Sequence, residues 1–172
     1  MKRNTSLPVS AHECADSATI DADPVIDNGR VYAVGQGGRT VALELATGQR
    51  LWEQNFAGIS TPWIAGEWLY LVTDDARLVC LARSSGKVRF IAQLPRFRNL
   101  KKKSGPITWF GPVLAGGRLV LTNSDGEIGF ASPTDGSVVS TIKGNTAFSL
   151  PPIVARSVLY TLDGKGRITA YR

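Results

Sequence analysis

The side chains that could support catalysis or bind a metal ion are few in this chain of 172 residues. The one histidine, His12, lies outside the repeated segments described below, so no serine–histidine–aspartate triad is predicted. Four aspartates, Asp74, Asp75, Asp125 and Asp163, fall in predicted hairpin turns, where Asp commonly binds its own backbone. Because a calcium site needs several converging oxygen ligands, these turns do not predict one.

The two cysteines add little to this chemistry. Cys14 and Cys80 form no C-x-x-C pair and give only weak evidence about the redox compartment. Cys80 stands where the repeats place a small apolar residue. We therefore expect it to be a buried, unreactive thiol.

The composition is that of a globular protein built from short strands. Hydrophobic residues make up 43% of the chain and charged residues 20%, while 18 glycines and 9 prolines favour many tight turns. No run of about 18 apolar residues is present, so no membrane span is predicted. Met1, Lys2 and Arg3 resemble the start of a signal peptide, but no apolar segment or lipobox follows. We therefore expect no export signal in this chain.

The strongest pattern is an internal repeat. Pro24, Pro62, Pro112 and Pro152 begin four similar segments, and extra residues separate the second segment from the third. Each segment continues with short apolar strands and Gly- or Asp-containing turns, which is typical of four-stranded antiparallel β-propeller blades. A generic β-sandwich is the alternative. We predict an all-β propeller with blades at about 21–57, 58–92, 108–147 and 148–172, the last one incomplete, and a basic insertion at 93–107.

The clearest copy of the repeat runs from residue 42 to residue 52, A-L-E-L-A-T-G-Q-R-L-W. Gly48 suits a turn with positive φ, Glu44 can accept hydrogen bonds near it, and Trp52 offers a large surface with an N–H donor. The segment resembles the tryptophan-docking motif of quinoprotein-type (PQQ-like) propeller repeats, where an outer-strand Trp packs between adjacent blades. This resemblance implies structural roles for Ala42, Glu44, Thr47, Gly48, Trp52, Gly86, Phe90 and Gly136.

The features of residues 21–172 also resemble the C-terminal half of the lipoprotein subunit of the outer-membrane β-barrel assembly machinery, the BamB family. The matching segments include I-D-A-D-P-V-I, T-P-W, S-G-P-I-T-W-F-G-P-V-L and L-D-G-K-G-R-I-T-A-Y-R. Residues 1–20 are left unmatched, and we expect them to be disordered or to supply a closing strand. The resemblance implies a non-catalytic, protein-binding scaffold in the periplasm, associated with the outer membrane, whose partner is a subunit of that machinery.

Two other functions fit the same repeats. Related propellers are alcohol and sugar dehydrogenases that use PQQ and calcium, with a pair of adjacent cysteines over the quinone. This chain has no Cys-Cys pair, so we predict neither cofactor and no enzyme activity. An extracytoplasmic sensor domain is the third alternative, and the sequence alone does not separate it from a scaffold.

The candidate partner-binding residues lie where the repeat is interrupted. The formal net charge is +6, and its one cluster, at residues 96–103, falls in the longest insertion, which should form an exposed loop. A single basic loop without a second patch does not predict nucleic-acid binding. Trp109 is either the anchor of this loop in the core or an exposed contact. The candidates here are Arg96, Phe97, Arg98, Lys101, Lys102, Lys103 and Trp109.

Asp21 is a further candidate, by resemblance. In the BamB family an acidic D-x-D pair before the first-strand proline resembles part of the surface that meets the barrel-inserting subunit. Asp21 matches the second aspartate of that pair, whereas Thr19 replaces the first. A capping role for Asp21 is the alternative.

An incomplete propeller should expose two blade faces and leave the strand at residues 168–171 without a partner. We expect either that two copies join in a larger closed ring, or that residues before Ile20 supply the missing strand. The tyrosine column, Tyr32, Tyr70 and Tyr160, is expected in the core or between blades.

Overall fold

The computed structural model describes residues 22–144 and 146–172, and the regular elements within them are all β-strands. Runs of β-branched and aromatic residues between Gly-, Asp- and Asn-containing turns account for this structure. No described residue belongs to a helix that is long and apolar enough to cross a membrane. Asp21 and the segment 1–20, with the roles predicted for them, lie outside the described residues.

Seventeen strands form in these residues. In chain order they are β1 (Val25–Asp27), β2 (Arg30–Val34), β3 (Thr40–Glu44), β4 (Arg50–Gln54), β5 (Trp63–Ala65), β6 (Trp68–Val72), β7 (Arg77–Ala82), β8 (Val88–Gln93), β9 (Phe97–Asn99), β10 (Ser104–Pro106), β11 (Trp109–Ala115), β12 (Arg118–Asn123), β13 (Glu127–Ala131), β14 (Val138–Lys143), β15 (Ile153–Ala155), β16 (Val158–Leu162) and β17 (Ile168–Tyr171).

Fifteen of the strands make four antiparallel sheets, the blades, that follow one another along the chain. The first blade is β1–β4, the second β5–β8 and the third β11–β14, each with its strands in sequence order. The fourth blade has three strands, β15–β17, among the described residues. The predicted all-β propeller, with three four-stranded blades and an incomplete fourth, is confirmed.

The pairing register repeats from blade to blade. The third and fourth strands pair at equivalent positions in the three complete blades, namely Ala42 with Trp52, Cys80 with Phe90, and Phe130 with Ser140. A register shift follows this pair in every case, and such a bulge increases the local twist of a strand. We call this position of the fourth strand, occupied by Trp52, Phe90 and Ser140, the tryptophan column. Its backbone pairing is the same in each of the three complete blades.

The core lies between the blades. Three buried clusters join the first blade to the second, the second to the third, and the third to the fourth. The second blade is covered on both faces, so Leu69, Tyr70, Leu71 and Val72 are all buried. This explains why β6 is a continuous apolar run in the sequence and does not alternate with polar residues.

The insertion between the second and third blades is more regular than an exposed loop. Strands β9 and β10 pair as an antiparallel hairpin, with Phe97 opposite Pro106 and Asn99 opposite Ser104. We call residues 96–106 the basic hairpin.

Candidate functional site

The tryptophan of the repeat motif joins the first blade to the second. Trp52 lies on β4, and its Nε1–H donates a hydrogen bond of 2.9 Å to the carbonyl oxygen of Arg83 in the turn between β7 and β8. Its indole ring also covers Gly86 in the same turn. Trp52 therefore docks onto the next blade, as the motif predicts.

The Thr-Gly turn that precedes Trp52 is held by local hydrogen bonds. Thr47 Oγ1 donates to Glu44 Oε2 at 2.5 Å, and the Gly48 N–H donates to the carbonyl oxygen of Glu44 at 2.8 Å. Gly48 has φ of 72°, a conformation that favours glycine. Ala42 is fully buried opposite Trp52. The hydrogen bonds and the positive φ of Gly48 thus give these residues a structural role in ordering the turn.

The second blade repeats this contact with a different side chain. Phe90 stands in the tryptophan column and covers Gly136 in the turn of the third blade. Phenylalanine has no N–H donor, so the hydrogen bond of Trp52 has no counterpart here. The hydroxyl of Tyr70 donates to the carbonyl oxygen of Pro133 in that turn at 3.2 Å.

Tyrosine hydroxyls and one ion pair also connect the blades. Tyr32 donates to the Arg83 carbonyl oxygen at 3.4 Å, and the Arg83 guanidinium forms an ion pair with Asp27 of the first blade. Tyr32 and Tyr70 are buried between blades, as expected for their column, whereas Tyr160 is 36% exposed on the open side of the fourth blade. The expectation for Tyr160 is thus wrong for the described residues.

The base of the basic hairpin is anchored in the core between the second and third blades. Leu94 and Ile107 flank the hairpin and are buried there. The Ile107 N–H donates to the carbonyl oxygen of Arg96 at 2.9 Å, which closes the base. The hairpin therefore leaves the body of the protein at a fixed place.

One ion pair also ties the hairpin to the third blade, and two contacts order the hairpin itself. Arg98 Nε lies 2.6 Å from Asp125 Oδ1 in the turn between β12 and β13. The Arg98 side chain passes over Gly105 on the opposite strand, where a Cβ would lie 3.1 Å from its Cδ. At the tip, Asn99 Oδ1 accepts the Lys102 N–H at 3.0 Å.

The tip itself is open to solvent. Leu100 is 71% exposed, and Lys101, Lys102 and Lys103 beside it are all exposed. The Arg96 guanidinium lies 5.4 Å from the centre of the Phe97 ring, a cation–π contact. The tip therefore presents three lysines next to one exposed leucine, and Arg98 is the basic residue of the hairpin with an ion-pair partner among the described residues.

Trp109 is not part of this exposed surface. It is 3% exposed, packs against Gly129, and donates its Nε1–H to the carbonyl oxygen of Pro95 at 2.8 Å. The burial of Trp109 fits the role of a core anchor for the insertion and not that of an exposed contact. Trp109 is therefore not a partner-binding residue in this structure.

The aspartates in turns do not converge on a common point. Asp163 Oδ1 accepts the N–H groups of Lys165 and Arg167, both at 2.9 Å, and these hydrogen bonds hold the pKa of its carboxyl below the usual value. Asp75 instead accepts from the Thr73 hydroxyl and from Arg77. Asp125 is engaged by Arg98.

Each of these three carboxylates thus has its own local partners in a turn of a different blade, so they do not combine as ligands of one calcium ion. Within residues 22–144 and 146–172, no group of three or more His, Cys, Asp or Glu side chains could hold a metal ion.

Cys80 is the free cysteine among the described residues, and it is fully buried. Burial raises the pKa of its thiol to about 11. A thiolate is the reactive form of cysteine, so this side chain is unreactive in the folded protein.

Several connecting residues were not predicted. Arg83 and Asp27 join two blades by a contact between distant positions, and Asp125 engages Arg98 in the same way. The sequence does carry one usable signal, the apolar residues Leu94 and Ile107 at the two ends of a basic insertion. That pattern is what an anchored hairpin requires.

The family model and the similar proteins found by comparison carry the same family name, BamB. The model of the family described as outer membrane protein assembly factor BamB matches residues 3–92. The BamB of Alkalilimnicola ehrlichii is 27% identical over 168 residues, which is 97% of this chain and 42% of that protein. The BamB of Salmonella typhimurium is 29% identical over 152 residues, 88% of this chain and 36% of that protein. The chain thus spans less than half the length of these relatives.

Solved structures show the same fold. The crystal structure of BamB from Moraxella catarrhalis superposes with a TM-score of 0.76 at 18% identity, over 89% of this chain and 43% of that one. The computationally designed Ika4 protein gives 0.68 at 12% identity, over 91% of this chain and 92% of that one. The designed Ika8 protein gives 0.65 at 12% identity, over 88% of this chain and 45% of that one. With the family model matching more than half of its residues, this β-propeller chain belongs to the BamB family of outer membrane protein assembly factors.

Proposed function

We propose that this chain is a non-catalytic, protein-binding scaffold for the assembly of outer membrane proteins, acting in the periplasm. Its membership of the BamB family supports a role in the assembly of outer membrane proteins, since the relatives it matches are named as assembly factors. The observation that carries the mode of action is the basic hairpin, an exposed projection with a buried base and an exposed tip of cations and one leucine.

The physical form of the hairpin favours protein recognition. A preorganised element loses less conformational entropy on binding than a flexible loop does. The Arg98–Asp125 pair and the buried base supply that preorganisation. An exposed apolar residue, Leu100, surrounded by cations suits a partner surface with an apolar spot and an acidic rim.

The partner that we propose is a subunit of the β-barrel assembly machinery. Charged residues at the rim of an interface mainly raise the association rate and make it sensitive to salt. We therefore expect the lysines to speed encounter and Leu100 to slow dissociation. Asp21 is kept as a second candidate contact, on the basis of its sequence resemblance.

A charge-reversal experiment tests this proposal. The variant with Lys101, Lys102 and Lys103 all changed to Glu should bind the barrel subunit of the machinery at least about tenfold more weakly than the parent chain, measured by biolayer interferometry. The matched control changes the exposed Lys87, Lys143 and Lys165 to Glu, which gives the same net charge away from the hairpin. The control should bind like the parent.

Two results would contradict the proposal. No association of the parent chain with the subunit would exclude the partner, and equal weakening in both triple variants would exclude the hairpin. Vesicles containing anionic lipid provide a separate check. The vesicles could bind the parent chain but not the hairpin variant, while the barrel subunit binds neither protein. That outcome would mean that the hairpin binds a membrane surface, and the protein-binding proposal would fail.

A further inference from the structure

The tip of the basic hairpin holds three consecutive lysines outside any strand. Residues 100–103 connect β9 to β10, and all four are exposed. A protease that cuts after a basic residue, such as trypsin, binds that side chain in an acidic pocket beside its catalytic serine. The tip therefore offers such an enzyme three successive peptide bonds in one exposed segment.

The carbonyl oxygens of these lysines are also free, and a protease needs this because its oxyanion hole binds the carbonyl of the bond that it cuts. In the blade turns, backbone N–H groups already donate to the carbonyl oxygens of four basic residues at 2.8–3.0 Å, namely Arg39, Arg77, Lys87 and Arg167. The carbonyl oxygen of Arg83 accepts the indole N–H of Trp52. Within residues 22–144 and 146–172, no backbone N–H donates to the carbonyl oxygens of Lys101, Lys102 and Lys103.

Opening the tip disrupts few contacts. A turn has to open locally before a protease can bind it as an extended segment, so the ease of opening affects the rate of cleavage. Here the opening breaks the hydrogen bond from the Lys102 N–H to Asn99 Oδ1 and the pairing of Asn99 with Ser104. Residues 97–106 include no buried residue, so no apolar contact of the core is lost.

Other basic residues of the blades are held more firmly. Opening the turn at Lys165 would break three hydrogen bonds that Asp163 accepts from the N–H groups of residues 165–167. Arg156 lies in a two-residue turn whose flanking residues pair directly. Five further basic residues lie in paired strands of the blades, where opening breaks ladder hydrogen bonds, namely Arg30, Arg50, Arg89, Arg118 and Lys143.

We propose that the tip of the basic hairpin is a cleavage site for proteases that cut after lysine, and that the cut disables the partner-binding tip while the propeller stays folded. Water adds to the lysine carbonyl carbon and the C–N bond breaks, which leaves a carboxylate on one chain end and an amino group on the other. The loss of binding rests on the function proposed above for the hairpin. The new carboxylate lies among the lysines, where it would repel an acidic partner surface.

The two halves of a cut chain share a core. Leu94 precedes the tip, Ile107 and Trp109 follow it, and all three lie in the buried cluster between the second and third blades. The Ile107 N–H donates to the carbonyl oxygen of Arg96, and Trp109 Nε1–H donates to that of Pro95. None of these contacts involves the tip. We therefore expect the two halves to stay together after the cut.

Limited digestion of the full chain with trypsin tests the cleavage site. Intact-mass spectrometry over a time course should show a first internal cut after one of residues 101–103, at least about tenfold faster than at any other bond of residues 22–172. Cuts after Lys2 or Arg3 remove no more than three residues, so their masses are distinct. The cut protein should elute with the uncut chain in size-exclusion chromatography and separate into two fragments in about 6 M guanidinium.

A pair of matched variants assigns the cut to the lysines of the tip. The variant with Lys101, Lys102 and Lys103 all changed to Gln should lose the fast cut, because glutamine does not fill the acidic pocket of trypsin. The matched control makes the same three changes at exposed lysines of the blades, Lys87→Gln, Lys143→Gln and Lys165→Gln. The control should be cut at the tip as fast as the parent chain.

The effect on binding is measured separately. Cut chain, purified after the trypsin has been inhibited, should bind the barrel subunit at least about tenfold more weakly than intact chain in biolayer interferometry. The matched control is intact chain incubated with trypsin that was inhibited beforehand. It should bind like untreated chain.

Each part of the proposal can be overturned on its own. A first internal cut outside the tip, or an unchanged fast cut in the triple Gln variant, would overturn the cleavage site. Separation of the two fragments without denaturant would show that the propeller does not survive the cut. Equal binding of cut and intact chain would overturn the effect on the partner. Failure of intact chain to bind the subunit would instead contradict the proposed function, and the cleavage results would stand without it.

Discussion

Gly86 lies so close to Trp52 that a Cβ atom at position 86 would stand 2.8 Å from ring carbon Cδ2 of the indole. Real Cβ atoms do not approach other heavy atoms to that distance, so a side chain at this position would displace Trp52 or the turn. Gly48 is the equivalent residue of the first blade, and a Cβ there would meet nothing within 4 Å. The two glycines have similar backbones, with φ of 68° and 72°. They differ in whether a neighbouring blade is docked on them.

This difference predicts unequal effects of one substitution. Gly48→Ala should lower the free energy of unfolding by about 1–2 kcal/mol, the cost of a left-handed conformation for alanine. Gly86→Ala should lower it by that amount and about 1–3 kcal/mol more, because of overpacking against Trp52. Urea unfolding of the two variants measures both. Equal effects would show that Trp52 can move away without loss.

The role of Trp109 as an anchor leads to a second prediction. Trp109→Ala should lower the free energy of unfolding by about 3–5 kcal/mol, since it removes a buried aromatic side chain and its hydrogen bond to Pro95. Leu100→Ala, in the same insertion, should change it by no more than about 0.5 kcal/mol because Leu100 is exposed. Guanidinium unfolding curves compare the two. A small effect for Trp109→Ala would mean that the hairpin base is not part of the core.

The raised pKa of Cys80 predicts resistance to alkylation. With a pKa of about 11, its thiolate fraction at about pH 8 is roughly 100-fold below that of an ordinary thiol, and burial blocks access as well. In a Cys14→Ser variant, iodoacetamide should leave Cys80 unmodified in the folded protein and modify it fully in about 6 M guanidinium. Mass spectrometry reads the result. Rapid modification without denaturant would contradict the burial of this thiol.

The hydrogen bonds to Asp163 predict a dependence of stability on pH. A carboxyl whose pKa is lowered on folding stabilises the native state above its unfolded pKa of about 3.9, and this contribution is lost as pH falls through the folded value. Asp163→Asn should therefore have a lower Tm than the parent at about pH 7.

The two Tm values should converge once the pH falls below the lowered pKa of Asp163, where the protonated carboxyl is uncharged like the Asn amide. Differential scanning calorimetry of the parent chain and of Asp163→Asn at several pH values measures both Tm values. A constant difference in Tm across the series would mean that the charge of Asp163 does not contribute.

The blades could be predicted from the sequence because their signals are local. A proline, two short apolar strands, a Gly- or Asp-containing turn and a third strand recur in order, and each is read within a few residues. The docking of Trp52 followed from one motif. Phe90 occupies the equivalent position although it lacks the N–H donor of tryptophan, because the contact with the glycine turn requires mainly a flat apolar ring.

The hairpin was harder to predict for a physical reason. Its polar run of residues has no alternation with apolar positions, so nothing local indicates a strand. What orders it is distant in sequence, namely the Arg98–Asp125 pair and the packing of Leu94 and Ile107 beside Trp109. For the same reason the choice between anchor and contact for Trp109 stayed open until its burial was known.

Each buried cluster of this protein joins one pair of consecutive blades, and this has a consequence for how such proteins can change in evolution. Adding or deleting one blade alters two blade-to-blade contacts and leaves the other contacts as they were. Duplication of a gene segment that encodes one blade can thus lengthen the array without redesign of a shared centre. In a protein with a single central core, an insertion of that length would disturb nearly every packed residue at once.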